Sequence, residues 1–130
     1  LIASVRAALQ RIEADPSLRT RIWANAERLH AGLTGLGLEP LSPVSPVIAV
    51  ALPDEGTAAL AWNLLRQHGV YVNLALPPGT PNSYCLLRAS MSAAHEPEQI
   101  DALVERFAAV LAELETHRAG VAGTAAAGAA

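Results

Sequence analysis

Hydrophobic positions recur along this chain with two different periods, and the change of period divides it into elements. Val5, Leu9 and Ile12 return at steps of three and four, and Leu18, Ile22, Leu29, Leu33 and Leu36 keep helical spacing after them. Such spacing buries one stripe of a helix, so helices are expected over about residues 2–13 and 16–35. Asp15 followed by Pro16 reads as an N-cap and N1 pair that restarts the helix. Gly35 and Gly37 end it, since glycine accepts the left-handed geometry of a C-cap.

Residues Glu39 to Pro46 hold three prolines and two serines and read as an irregular connection. Val47 to Leu52 is a short apolar, β-branched run, the pattern of a buried strand. Pro53 and Asp54 open a helix over 55–68, with Asp54 as cap and with Leu60, Leu64 and Leu65 facing inward. A strand is expected over 70–74, where Val70, Val72 and Leu74 alternate, and another over 84–91. Between them lies the proline-rich loop Pro77 to Asn82, longer than a plain hairpin connection. Ile100, Leu103, Phe107, Val110, Leu111 and Leu114 make one stripe on a last helix over 97–116. From Ala119 the chain is alanine, glycine, valine and threonine, and a frayed or disordered tail is expected over 119–130. Three strands, mainly antiparallel, with helices on one face predict a two-layer α+β small domain over 1–118.

Composition adjusts this picture in two ways. The apolar fraction is 52% and the mean hydropathy +0.28, yet much of it is alanine and aromatics are 4%, so the core must be aliphatic and shallow. Covering the apolar stripes of the first two helices calls for a partner surface. The net charge of −3 carries no run of as many as about five like charges, which argues against nucleic-acid binding through a basic patch. No apolar stretch approaches the roughly 20 residues of a membrane span. The single cysteine, Cys85, fits a small buried hydrophobe in a reducing cytosol, so a cytoplasmic location is expected. The chain starts at Leu1 and looks like a piece of something longer.

Two features bear on chemistry. Arg88 sits in an otherwise apolar strand, after Leu86 and Leu87 and before Ala89. One reading gives this guanidinium an acid to meet, since its planar fork binds a carboxylate through two parallel hydrogen bonds. The other turns it to solvent on the polar face of the strand, alternating with Leu87 and Ala89. The segment Pro77-Pro78-Gly79-Thr80-Pro81 combines rigid residues with one pivot, Gly79, and reads either as a mobile element or as an ordinary turn. His30, His68, His95 and His117 are too scattered for a metal site, and no phosphate loop, nucleophile elbow or carboxylate pair is present. No catalytic residue is expected on this chain.

From Ser42 to Phe107 the order of motifs resembles the C-terminal part of the α-oxoamine synthases. The matching stretches are Ser45 to Val50, Gly69 to Asn73, Pro77 to Pro81, Leu86 to Ser90 and Ala93 to Ile100. Glu13 to Pro16 and Leu29 to Leu33 fit the same family upstream. Tyr71-Val72-Asn73 and the Pro-Pro-Gly-Thr-Pro loop look most like the serine palmitoyltransferase branch. The branches that make aminooxononanoate, aminoketobutyrate or aminolevulinate share the arginine but usually not this loop. The resemblance implies the small domain of a pyridoxal-phosphate (PLP) dependent, fold-type I homodimer. The activity it implies is decarboxylative condensation of L-serine with a long-chain acyl-CoA to a 3-keto sphingoid base.

By the same resemblance, Arg88 holds the amino-acid carboxylate, and Pro77, Pro78, Thr80 and Pro81 belong to a loop that closes over the occupied site. Leu76 stands where bacterial serine palmitoyltransferases often have an arginine, and Glu96 where the family commonly has threonine before the proline. PLP needs a lysine, and all nine basic residues here are arginine. The cofactor is therefore expected on a large domain outside this chain, which alone is expected to be inactive. Two other readings stay open: an α-oxoamine synthase of aminooxononanoate or aminoketobutyrate type, and a non-catalytic interaction domain.

Overall fold

In a computed structural model that describes the backbone of residues 1–127 and the side chains of residues 1–119, two helices lead the chain: α1 (Ile2–Ala14) and α2 (Ser17–Gly35). The restart comes one residue later than expected, with Pro16 and not Asp15 as the N-cap, and the Asp15 carboxylate accepts the Ser17 N–H at 3.1 Å and the Ser17 hydroxyl at 2.5 Å. The end of α2 falls at Gly35, and Gly37 takes the left-handed position, with φ +79°. There follow strand β1 (Val47–Leu52), helix α3 (Glu55–Gln67), strand β2 (Asn73–Ala75), strand β3 (Cys85–Ser90) and helix α4 (Pro97–Ala127). A single 3-10 turn, Pro81–Ser83, interrupts the loop before β3.

The three strands form one antiparallel sheet in the order β1-β3-β2, so the strand that carries Arg88 is central. Alternation along β1 and β3 turns Ile48, Val50, Cys85, Leu87 and Ala89 inward, where they are buried. Helices α2, α3 and α4 cover that face, and Leu29, Leu33, Leu65, Ile100, Phe107 and Val110 complete the core. Each fully buried aliphatic side chain of this kind contributes about 1.5–3 kcal/mol over an exposed one. The two-layer α+β architecture is thus the one the periodicity predicts, and the core is aliphatic around one phenylalanine. Burial pushes the Cys85 thiol above its ordinary value, with Glu55 and Asp54 adding to the effect, in keeping with an inert hydrophobe.

Close packing of α2 on α4 depends on Gly32, whose added Cβ would press into Val104 Cγ2. The buried Asn25 on α2 donates from Nδ2 to Ser92 O at 3.0 Å and to His95 O at 2.8 Å, tying the turn between β3 and α4 to the helix layer. Arg28 closes the solvent side with a two-pronged pair to Asp101, both contacts 2.6 Å. At the start of α4, where Glu96 gives no threonine cap, the Gln99 side chain accepts the Glu96 N–H at 2.9 Å instead.

Three elements differ from expectation. β2 begins at Asn73, not at residue 70. Gly69, with φ +77°, turns the chain out of α3, and the Val70 N–H still bonds back to Leu65 O at 2.8 Å. The Trp62 indole N–H then takes Val72 O at 2.9 Å, so the backbone stays tied to α3 until Asn73. α4 runs to Ala127, past the expected end near residue 116, in line with the high helix propensity of alanine. Of the tail expected to fray from Ala119, the last three residues and the side chains from 120 lie outside the described residues. Finally, α1 has no buried residue at all, and Val5, Leu9 and Ile12 remain about half exposed.

Candidate functional site

The sheet has one face free of helices, and Arg88 is the charge at its centre. Register pairs Arg88 with Ala49 on one side and Asn73 on the other. Two residues along, Leu86 lies between Ala51 and Ala75 on the same face. The same-face neighbours of the Arg88 position are thus alanines, one asparagine, one leucine and, on the other side, Ser90 and Val47. Of the two readings open from the pattern, the geometry selects the outward one: Arg88 is exposed while Leu87 and Ala89 are buried. Among the described residues it has no ion pair, since the salt bridges run from Arg28 to Asp101 and from His68 to Glu113. A planar fork on a shallow, mostly apolar floor can take a carboxylate through two parallel hydrogen bonds.

The proline loop is rooted at the same rung. It leaves β2 at Ala75 and returns to β3 at Cys85, and Ala75 pairs with Leu86. That rung is one same-face step from Arg88, about 7 Å along the strand. The loop's hydrogen bonds are internal: Gly79 N–H to Leu76 O at 3.0 Å, Thr80 hydroxyl to Tyr84 O at 2.6 Å, and Tyr84 N–H to Pro81 O at 3.2 Å. The Pro77-Pro78 peptide is cis. Gly79 does not act as the left-handed pivot; Asn82 (φ 52°) and Ser83 (φ 56°) take that conformation. Pro78 and Pro81 are exposed, and Pro77 and Thr80 are half-buried. The loop is thus a self-bonded unit attached through two strand ends.

Arg88 and the loop roots therefore lie two residues apart on one face, while His68 and His95 make their contacts elsewhere. His68 meets Glu113 Oε1 through Nε2 at 2.8 Å, and His95 Nδ1 accepts the Ser92 N–H at 3.0 Å. Sequence reading passed over Asn73 as a site residue. Its place opposite Arg88 is set by the register of β2 on β3, which the local pattern of either strand does not specify. The site can bind and orient an anion, and the side chain that follows Arg88 on the same face of β3 is the exposed Ser90.

Comparison with known proteins finds relatives of this chain. Residues 1–107 match the family model described as aminotransferase class I and II. A serine palmitoyltransferase from Caulobacter vibrioides is 49% identical over 112 residues, 86% of this chain and 28% of that protein. An 8-amino-7-oxononanoate synthase from Anaeromyxobacter is 38% identical over 121 residues, 91% of this chain and 30% of that protein. A solved serine palmitoyltransferase from S. paucimobilis, with a bound PLP-myriocin aldimine, superposes with a TM-score of 0.72 at 39% identity. That match covers 75% of this chain and 25% of the solved one. The chain therefore spans less than a third of the length of the relatives it matches.

Proposed function

Given that this chain belongs to the aminotransferase class I and II family, we propose that it is the small domain of a PLP-dependent α-oxoamine synthase of serine palmitoyltransferase type. The reaction is the condensation of L-serine with a long-chain acyl-CoA, with loss of the serine carboxylate as carbon dioxide. One observation carries the part assigned to this chain: an arginine with no ion pair among the described residues on the open sheet face, one rung from the root of a self-bonded loop.

The residues present do not fit a role in holding PLP. The cofactor needs a lysine amine, and this sequence has none. The covalent chemistry belongs to the rest of such an enzyme, a cytoplasmic homodimer on this reading, and no chemical step runs through these residues. Arg88 binds and orients the amino-acid carboxylate, fixing which Cα bond is presented to the cofactor. Pro77, Pro78, Thr80 and Pro81 form the wall that closes over it and excludes water.

A second reading keeps Arg88 and changes the substrates. The 38% identity to an 8-amino-7-oxononanoate synthase supports it, as does Leu76 in place of the arginine often found beside the loop in bacterial serine palmitoyltransferases. Release of carbon dioxide and free CoA by the full-length enzyme separates the two. L-serine with palmitoyl-CoA should give the highest kcat/KM in a matrix of L-serine, L-alanine and glycine against long and short acyl-CoAs. A higher value for L-alanine or glycine with a short acyl-CoA transfers the assignment to the second reading.

A further inference from the structure

The late start of β2 leaves a cleft of about 360 Å³ that neither Arg88 nor the proline loop lines. Asn73 is the first residue of its segment to pair with β3. One same-face step upstream Tyr71 would meet Ser90, but the Trp62 bond to Val72 O holds that backbone toward α3. The two chains part there, with Tyr71 and Ser90 both on the cleft wall. Its inner surface is apolar, from the buried Val72 and Ile100 and the half-buried Leu103.

The polar lining is one-sided in chemistry. The chain has 12 acidic residues against 9 arginines, yet no aspartate or glutamate lines the cleft. Arg106 lines it with no ion pair or side-chain hydrogen bond among the described residues. His95 Nδ1 accepts the Ser92 N–H, which places the proton of the neutral ring on Nε2 and makes that atom a donor. Gln99 spends its carbonyl oxygen on the Glu96 N–H, and its amide N–H groups remain. Asn25 holds the turn that carries His95 through its bonds to Ser92 O and His95 O. His68 is also on the wall, its Nε2 engaged by Glu113.

We propose that this cleft binds a small organic anion, with the oxyanion head at Arg106, His95 and Gln99 and a short apolar body against Val72, Ile100 and Leu103. Its volume suits a ligand of that size, and donors on Arg106, His95 and Gln99 with no acid among the lining residues favour negative charge. Carboxylate and phosphate monoester heads share this chemistry.

The test is calorimetric titration of the full-length enzyme carrying Arg88→Ala, so that anion binding at the amino-acid site is weakened beforehand. Hexanoate, hexyl phosphate and uncharged hexanol are the three probes. One or both anions should bind saturably, which identifies the head group, and hexanol should not. A second substitution, Arg106→Gln, should weaken the anion Kd about tenfold or more, and His95→Gln, which keeps an amide donor, should weaken it less. Arg106 is exposed, so an unchanged melting temperature without ligand confirms that the variant folds. Equal binding of hexanol, an unchanged Kd in Arg106→Gln, or no binding of any probe overturns the proposal. These results do not depend on which amino acid the enzyme uses.

Discussion

Gly32 shows how much of this fold turns on single atoms. It sits inside α2, where glycine costs roughly 0.5–1 kcal/mol relative to alanine, so propensity alone favours its replacement. The contact with Val104 argues the other way, because a β-branched side chain has little freedom to retreat. Overpacking of a tight contact costs about 1–3 kcal/mol and outweighs the propensity gain. Gly32→Ala should therefore lower stability by about 1 kcal/mol in urea unfolding, and Val104→Ala in the same chain should recover part of it. Nothing in the sequence marks this contact, since the glycine lies between helical positions and its neighbour is 72 residues away. Arg88 is the opposite case. Alternation with Leu87 and Ala89 offers its outward face directly, whereas its lack of a partner needs the fold.

At the scale of elements, helix periods and strand runs were legible because each records one buried face. Boundaries set by a long-range hydrogen bond were not. The pattern Val70, Val72, Leu74 reads as strand, and only the Trp62 indole bond to Val72 O explains why the ladder starts at Asn73. The α3 cap was legible in full: Asp54 accepts the Thr57 N–H at 2.8 Å and the Thr57 hydroxyl at 2.7 Å. Those bonds, the backbone one first, hold Asp54 below the ordinary aspartate value. A depressed pKa stabilises the fold above the unfolded value and loses that contribution as pH falls through the folded one. Asp101 follows the same direction through its hydrogen bond from Arg28. Amide exchange at Thr57 should thus be faster in Asp54→Ala at pH 6, and the protection factors of variant and wild type should converge only as pH falls below the ordinary aspartate value and through the depressed folded one. A difference that persists unchanged in acid would contradict the cap. α1 makes a further test. Leu1, Ile2, Val5, Leu9 and Ile12 are all exposed, and patches of several hundred Å² drive association. Sedimentation of this chain alone should show concentration-dependent association, which Val5→Glu with Leu9→Glu reduces; a clean monomer at all concentrations would count against an uncovered apolar face.

For the whole molecule, the two-layer architecture comes from pattern, while the outward arginine, one of two readings the pattern allows, is settled by the fold. A fork on an open sheet face, with no ion pair among the described residues, is suited to recognising an anion. The detached α1 and the bare sheet face both need a surface that the periodicity of this chain cannot describe. The assignment of carboxylate recognition to Arg88 is open to one internal comparison in the full-length enzyme: amino-acid and acyl-CoA kinetics in the same variant. Arg88→Lys keeps the charge, loses the fork, and should raise the KM for L-serine. Arg88→Ala should cost more, on the order of 2–5 kcal/mol in kcat/KM for the amino acid if its carboxylate is left unpaired under a closed loop. The acyl-CoA KM should move far less in both. If the two substrates are affected equally, or neither is, Arg88 is a structural strand residue and the carboxylate site lies elsewhere.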